Sequence, residues 1–358
     1  MNRHARRACG KIVDERFMRR TFYALTLALV AVVAVALTQT AGAQKTRGVA
    51  RTATAAPAAA SLPLPASDAL LTIDVRRLLT EVVPRALASD SARLAQVNAD
   101  VDEFKTRTGI NARDFDTVAV GARLVPLASG AVKVDHLTAV ARGTFRTETL
   151  VASARAAAKG GLAEQTHGGK TVYVATVNDQ LKLFGLARMH VRELAFVVLD
   201  PNTLALGEPE DVRAAIDAQA GRGRADFSIL NFPKGAGDFA AFAGNVPPGV
   251  LTGVETGLPN VDRAISSIRG FYGTVGSSPT GIQMMTTLRA ATAADAKQLF
   301  DTVQALRQIA PGLISVAGEK GRFAKGLVDS LKVTTKGSEV QLRVEVPQAD
   351  LSTLLKAL

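Results

Sequence analysis

The sequence predicts an α+β protein made of two tandem repeat halves, each an antiparallel sheet built from β-β-α units with helices packed on one face. Three observations carry that expectation. Strand-like segments come in pairs joined by short turns; each pair leads into an apolar-striped segment opened by a capping or proline signal; and the units return at similar spacings.

In chain order, the first element is an address. Residues 23–37 (YALTLALVAVVAVAL) form an uncharged run behind Arg19 and Arg20 and ahead of Thr38-Gln39-Thr40-Ala41-Gly42-Ala43. Basic, apolar, then small residues is the anatomy of a cleavable secretory signal over residues 1–43, with Ala41 and Ala43 set for a cut before Gln44. As a helix the run spans roughly 22 Å, short of a hydrocarbon core of roughly 30 Å. The alternative is an uncleaved inner-membrane anchor over residues 21–43. A start at Met18 gives Met-Arg-Arg-Thr-Phe directly before the apolar run, so Met18 is a second candidate initiator. Residues 44–66 are rich in Ala, Thr and Pro and lack any period, which reads as a disordered spacer.

Charge follows the same division. The chain of 358 residues carries 43 Lys+Arg against 32 Asp+Glu, but residues 1–66 hold ten of the cations and two of the acids. The body from Ser67 onward is left at about +3, which gives no surplus for nucleic-acid binding. The single cysteine, Cys9, rules out a disulfide scaffold and leaves no Cys/His zinc site.

The body opens with a strand from Ala69 and a helical stretch broken at Pro84 and resumed from Ser91, with Leu94, Val97, Val101 and Phe104 as its stripe. Strands at 115–125 and 136–145 lead to a helix from Thr147. A hairpin around His167-Gly168-Gly169-Lys170 and the segment 178–192 are extra length in this half. Strands at 194–199 and 203–207 lead to Pro209 and a helix. Glycine and arginine interrupt the pattern at 221–224, dividing the body into halves 67–221 and 225–358. The second half begins with a strand over 226–232 and a helix from Asp238. Strands at 268–275 and 281–290 lead to a helix from Thr292, and strands at 330–335 and 339–346 lead to Pro347 and a last helix. Val340, Leu342, Val344 and Val346 alternate with Gln341, Arg343 and Glu345, the pattern of a strand with one buried and one wet face. Thr292 to Asp295 has the spacing of a capping box, and Pro209 and Pro347 stand where a helix has no amide partner to lose.

The run Ala195-Phe196-Val197-Val198-Leu199-Asp200, followed by Thr203-Leu204-Ala205-Leu206-Gly207-Glu208-Pro209-Glu210-Asp211-Val212-Arg213-Ala214-Ala215-Ile216, resembles uncharacterised secreted bacterial proteins with a signal peptide, an Ala/Pro-rich spacer and tandem β-β-α repeats. The resemblance implies location and architecture and brings no catalytic residues.

Motifs that suggest chemistry meet structural readings. Gly169-Lys170-Thr171 resembles the end of a P-loop but lacks its first glycine, since Glu164 stands there. Gly235-Ala236-Gly237-Asp238 imitates a dinucleotide fingerprint, with Pro233 and Lys234 intervening after the strand. His136, His167 and His190 stand apart, Ser277 and Ser278 suit a hairpin loop, and the Asp100/Asp102/Glu103 and Asp114/Asp116 clusters suit helix ends and turns. No catalytic, cofactor or metal residue is therefore assigned. Phe232, Phe239, Phe242 and Leu251, in a tract rich in glycine and proline, are the candidate lip for an apolar ligand.

The expectation from these readings is an exported, non-catalytic binding or scaffold protein of the bacterial cell envelope. It lies in the periplasm or outside the cell, partnered by a protein or envelope component and not by nucleic acid, and touches a membrane only through an uncleaved N-terminal segment. The alternatives are a carrier of an apolar small molecule in a cleft between the halves, or a metal-independent hydrolase with carboxylates assembled from distant segments.

Overall fold

The structure, a computed structural model, describes residues 62–351 apart from 109–110, 127–131, 145, 159–160, 184–186, 252–257 and 315–325. The signal segment, Met18, the Ala41/Ala43/Gln44 cleavage site, spacer residues 44–61 and residues 352–358 lie outside the described residues.

Strand β1 (Ala69–Asp74) runs into a helical stretch over Val75–Arg77, Leu78–Val82 and Val83–Ala86, through which Pro84 passes without a break because it occupies the first turn of the third piece. Asp90 then accepts the Arg93 amide at 3.0 Å and opens α1 (Ser91–Thr108). Strands β2 (Phe115–Pro126) and β3 (Val132–Gly143) lead to α2 (Thr147–Ala157). Hairpins β4 (Leu162–His167) with β5 (Lys170–Leu183), and β6 (Ala187–Asp200) with β7 (Thr203–Gly207), precede α3 (Pro209–Gln219). After β8 (Asp238–Asn245) and α4 (Pro259–Ser266) come β9 (Ile268–Ser277), β10 (Gly281–Ala290), α5 (Ala293–Ile314), β11 (Lys332–Lys336) and β12 (Glu339–Pro347). The expected capping box is present at α5: Thr292 Oγ1 accepts the Asp295 amide at 3.1 Å and donates to its carboxylate at 2.7 Å.

Two expected elements are of another kind. Residues 226–232 form a 3-10 turn (Phe227–Leu230) capped by Asp226, and residues from Asp238 form a strand where a helix was expected. The cause of the second is burial on both sides: residues 240–244 of β8 are consecutively buried between β1 and β9, so no alternation marks the strand and its alanines imitate a helix. Helix α4, opened by Pro259, follows the glycine- and proline-rich tract and is not among the expected elements.

The twelve strands of the described residues join one sheet in the order β11-β12-β10-β9-β8-β1-β2-β3-β7-β6-β5-β4, with antiparallel ladders between neighbours. The α+β class with antiparallel pairing is therefore as the sequence predicts, but the halves do not carry separate sheets. Strands β1 and β8 pair from Ala69–Gly244 to Ile73–Ala240. Both are apolar, and pairing leaves neither as an exposed edge.

Directly opposed residues in a ladder lie on the same face, so one cross-strand row can be followed over the whole sheet. On the first face it reads Gln165, Val172, Val197, Ala205, Val140, Ala119, Thr72, Ala241, Thr274, Met285, Arg343, Lys332. The adjacent row on the second face reads Glu164, Tyr173, Phe196, Leu206, Ala139, Val120, Leu71, Phe242, Gly273, Thr286, Leu342, Val333. The second face thus stays mainly apolar nearly from edge to edge. The first is apolar only as far as β8.

Helices follow those rows, and they lie on both faces where one was expected. Leu150 of α2 packs with Phe196 and Leu204, while Leu299 and Val303 of α5 pack with Leu288, Val340 and Leu342, all on the second face. Val212, Ala215 and Ile216 of α3 pack on the first face with Val172, Val197 and Ala205. The same core takes in Leu62 and Leu64, both 0 % exposed, so the last residues of the expected spacer belong to the fold. Pro65 bridges to Arg224, the Ala225 amide donates to the Leu64 carbonyl at 2.9 Å, and the Ala66 amide donates to Gly223 at 2.7 Å. The segment read as a boundary is therefore laced to the entry of the body.

Candidate functional site

The broadest feature left by this architecture is the first face over β10, β12 and β11. Period-2 alternation in these strands sends Val340, Leu342 and Val333 into the core under α5 and leaves Gln341, Arg343, Lys332 and Thr334 on the opposite side. Among the described residues no helix lies over them. Four rows cross this side of the sheet, with Thr274 and Thr287 buried at its inner part. Arg289, Glu339 and Lys336 make one; Tyr272, Thr287, Gln341 and Thr334 the next; Thr274, Met285, Arg343 and Lys332 the third; and Gln283 with Glu345 the fourth.

Its inner border is a pair of tilted rings. Phe232 and Tyr272 have centroids 4.9 Å apart, Lys234 Nζ lies 5.8 Å from the Phe232 ring, and Arg289 Cζ lies 5.6 Å from the Tyr272 ring. Tyr272 donates to Glu339 at 3.1 Å, and Arg289 Nε stands 3.6 Å from the same carboxylate. Burial pushes the Tyr272 hydroxyl above its ordinary value and pulls the Lys234 ammonium below its own, the latter against the pull of Asp238. Gln341 donates to Met285 Sδ at 3.1 Å. Burial lowers the pKa of Arg343 from its ordinary value, opposed by Glu345, whose carboxylate is engaged by the Ser278 and Thr280 hydroxyls.

No protein-family model matches the chain, and no curated protein does. Among solved structures, crystal form III of TP0453 is similar with 11% identity and a TM-score of 0.42, covering 84% of this chain and 98% of that one. Crystal form I of TP0453 is similar with 10% identity and a TM-score of 0.44, covering 83% and 96%.

The four residues proposed as an apolar lip are not brought together. Phe242 shares the second face with Leu71 and lies 6.3 Å from Phe271, whereas Phe232 packs against Tyr272 of the first face. Phe239 lies at the β8 register shift, and Leu251 in the turn beyond. The sheet itself separates them. The cleft expected between the halves is likewise replaced by the β1–β8 ladder.

The polar candidates find structural partners. Gly168 and Gly169, both at positive φ, make the turn between β4 and β5, and Lys170 Nζ donates to the Leu199 carbonyl at 2.6 Å, an arrangement with no phosphate cradle. Asp238 takes the Gly235 amide at 2.6 Å and opens a strand, which is not the dinucleotide arrangement. Asp116 pairs with Arg76, Asp102 with Arg113, Asp114 with Asn111 and Asp100 with Gln96. Ser278 Oγ accepts the Thr280 and Gly281 amides in its hairpin loop.

Two histidines clasp α3, and local spacing could not have shown this. His136 Nδ1 lies 3.0 Å from Asp211 Oδ1, and His167 Nε2 lies 3.2 Å from Asp217 Oδ1, which also pairs with Arg222. His136 has φ 50°, a left-handed conformation, at an irregular point in the β2–β3 register. Asp211 is 3 % exposed, and among the described residues its Oδ2 makes no well-formed hydrogen bond. Burial raises its pKa against the hydrogen bond from His136, while the Arg222 hydrogen bond chiefly lowers that of Asp217. The side chain of His190 lies outside the described residues.

Proposed function

We propose that this chain is an exported, non-catalytic binding or scaffold protein of the bacterial cell envelope, built from two repeat halves and working through the unroofed face of the second. One observation carries the binding reading. Along a single cross-strand row, the sheet changes from apolar residues under α3, through the buried Thr274, to the half-buried Met285 and Arg343 and the exposed Lys332, with no helix above these three among the described residues. A polar surface backed by a packed core is held rigid for recognition.

The strand order supports the duplication. Outward from the β1–β8 ladder one side runs β1-β2-β3-β7-β6 and the other β8-β9-β10-β12-β11, with α2 following β3 and α5 following β10. The β4–β5 hairpin extends the first half. The apolar run at 23–37 with Ala41 and Ala43 supports export, and cleavage gives a mature chain that begins at Gln44.

Cleavage before Gln44 removes Cys9, so single cysteines can be introduced cleanly. A photo-crosslinker at Thr334→Cys is expected to give a discrete adduct in an envelope preparation, and one at Lys297→Cys, on the exposed side of α5, none. Equal adducts at both positions, or none at Thr334→Cys, would overturn the reading. Intact mass of the recovered protein checks the cleavage.

A further inference from the structure

Resting on that reading of the open face, we propose that its partner is an anionic, hydroxyl-rich polymer, an acidic glycan, held by Arg343 and Lys332. These two cations stand directly opposite each other across the β11–β12 ladder on the same face. Like charges so placed repel, and among the described residues neither has an ion pair or hydrogen bond; the acid that acts on Arg343 is Glu345, already engaged by two hydroxyls. By contrast, the cation at the other end of β11, Lys336, faces Glu339. An anion between Arg343 and Lys332 would turn a mutual repulsion into two attractions.

The rows beside the pair determine which kind of polyanion fits. Thr334 offers a hydroxyl and Gln341, whose Nε2 donates to Met285, an amide oxygen one row away, suited to sugar hydroxyls. Strands about 4.8 Å apart repeat such groups at a spacing comparable with a sugar unit. Nucleic acid fits less well, because single-strand recognition needs free aromatic faces for base stacking. Among the described residues the aromatic on this face, Tyr272, is already packed against the tilted Phe232 ring with its hydroxyl on Glu339.

The test is titration of the mature chain with a size-defined heparin oligosaccharide, an uncharged dextran oligosaccharide and single-stranded DNA, at two salt concentrations. Heparin is expected to bind measurably and at least about tenfold more tightly than DNA, with dextran weak. Lys332→Ala combined with Arg343→Gln should weaken heparin binding at least about tenfold and reduce the salt slope by roughly two. Lys297→Ala should do neither, and thermal melts confirm that each variant is folded. Should Arg343→Gln perturb the fold, Lys332→Ala alone is expected to reduce the slope by roughly one. Absent heparin binding, binding indifferent to these substitutions, or equal affinity for DNA would each overturn the proposal. If the Thr334→Cys adduct persists while heparin fails, the binding face stands and the glycan falls; if both fail, the face itself falls.

Discussion

His136 and Asp211, 75 positions apart, meet because Gly207 leaves room for the first turn of α3 against β3: a Cβ there would lie 2.9 Å from the Leu137 carbonyl oxygen. Removing the imidazole by His136→Ala leaves Asp211 with a lost donor, and is expected to cost about 1–3 kcal/mol in urea denaturation. Two carboxylates of α3, Asp211 and Asp217, answer to pH with opposite signs. A carboxyl whose folded pKa is raised, as in Asp211, contributes stability that is complete below the ordinary carboxylate range and is lost as pH rises through the folded value. The depressed Asp217 contributes above that range and loses its contribution as pH falls through its own value. Asp211→Asn cannot ionise, so its Tm relative to the unsubstituted protein should rise as pH goes from the acid side of the carboxylate range toward neutrality. A difference that stays constant with pH would contradict the assignment.

At the level of elements, legibility in the sequence depended on how many sides of a strand are covered. β12 has one wet face, so Gln341, Arg343 and Glu345 alternate with apolar residues and the strand could be read with its register. β8 has no wet face, and Ala240, Ala241, Phe242 and Ala243 carry no period to read. The candidate lip failed for the same reason: without the strand, nothing indicated that Phe242 faces away from Phe232. Nor could the open face be recognised, because Arg343 and Lys332 meet only through the β11–β12 register. Phe242 is 3 % exposed, and a Cβ on Gly273 would lie 2.4 Å from its ring. Phe242→Ala is therefore expected to cost about 3–5 kcal/mol by chemical denaturation, with Phe232→Ala costing less; equal costs would argue that the two phenylalanines share one environment.

For the whole molecule, the consequence of one sheet is that the proposed duplication does not make two independent domains. Cutting within 221–224 bares β1 and β8 along the ladder from Ala69–Gly244 to Ile73–Ala240. It also divides a core in which Leu62, Leu64, Val140 and Val197 of one side pack with Leu230, Ala241 and Ala243 of the other. Each fragment would then present an apolar strand edge with unpaired backbone groups, a template for aggregation. The natural edges differ: β11 carries Lys332 and Lys336 at its two ends, and β4 carries Glu164 paired with Arg155. Fragments 62–221 and 225–358 are therefore expected to be unfolded or insoluble when expressed alone, and to give a folded complex when co-expressed, read by co-purification and a cooperative melt. Two fragments that each melt cooperatively on their own would mean that the β1–β8 ladder joins units already stable without it.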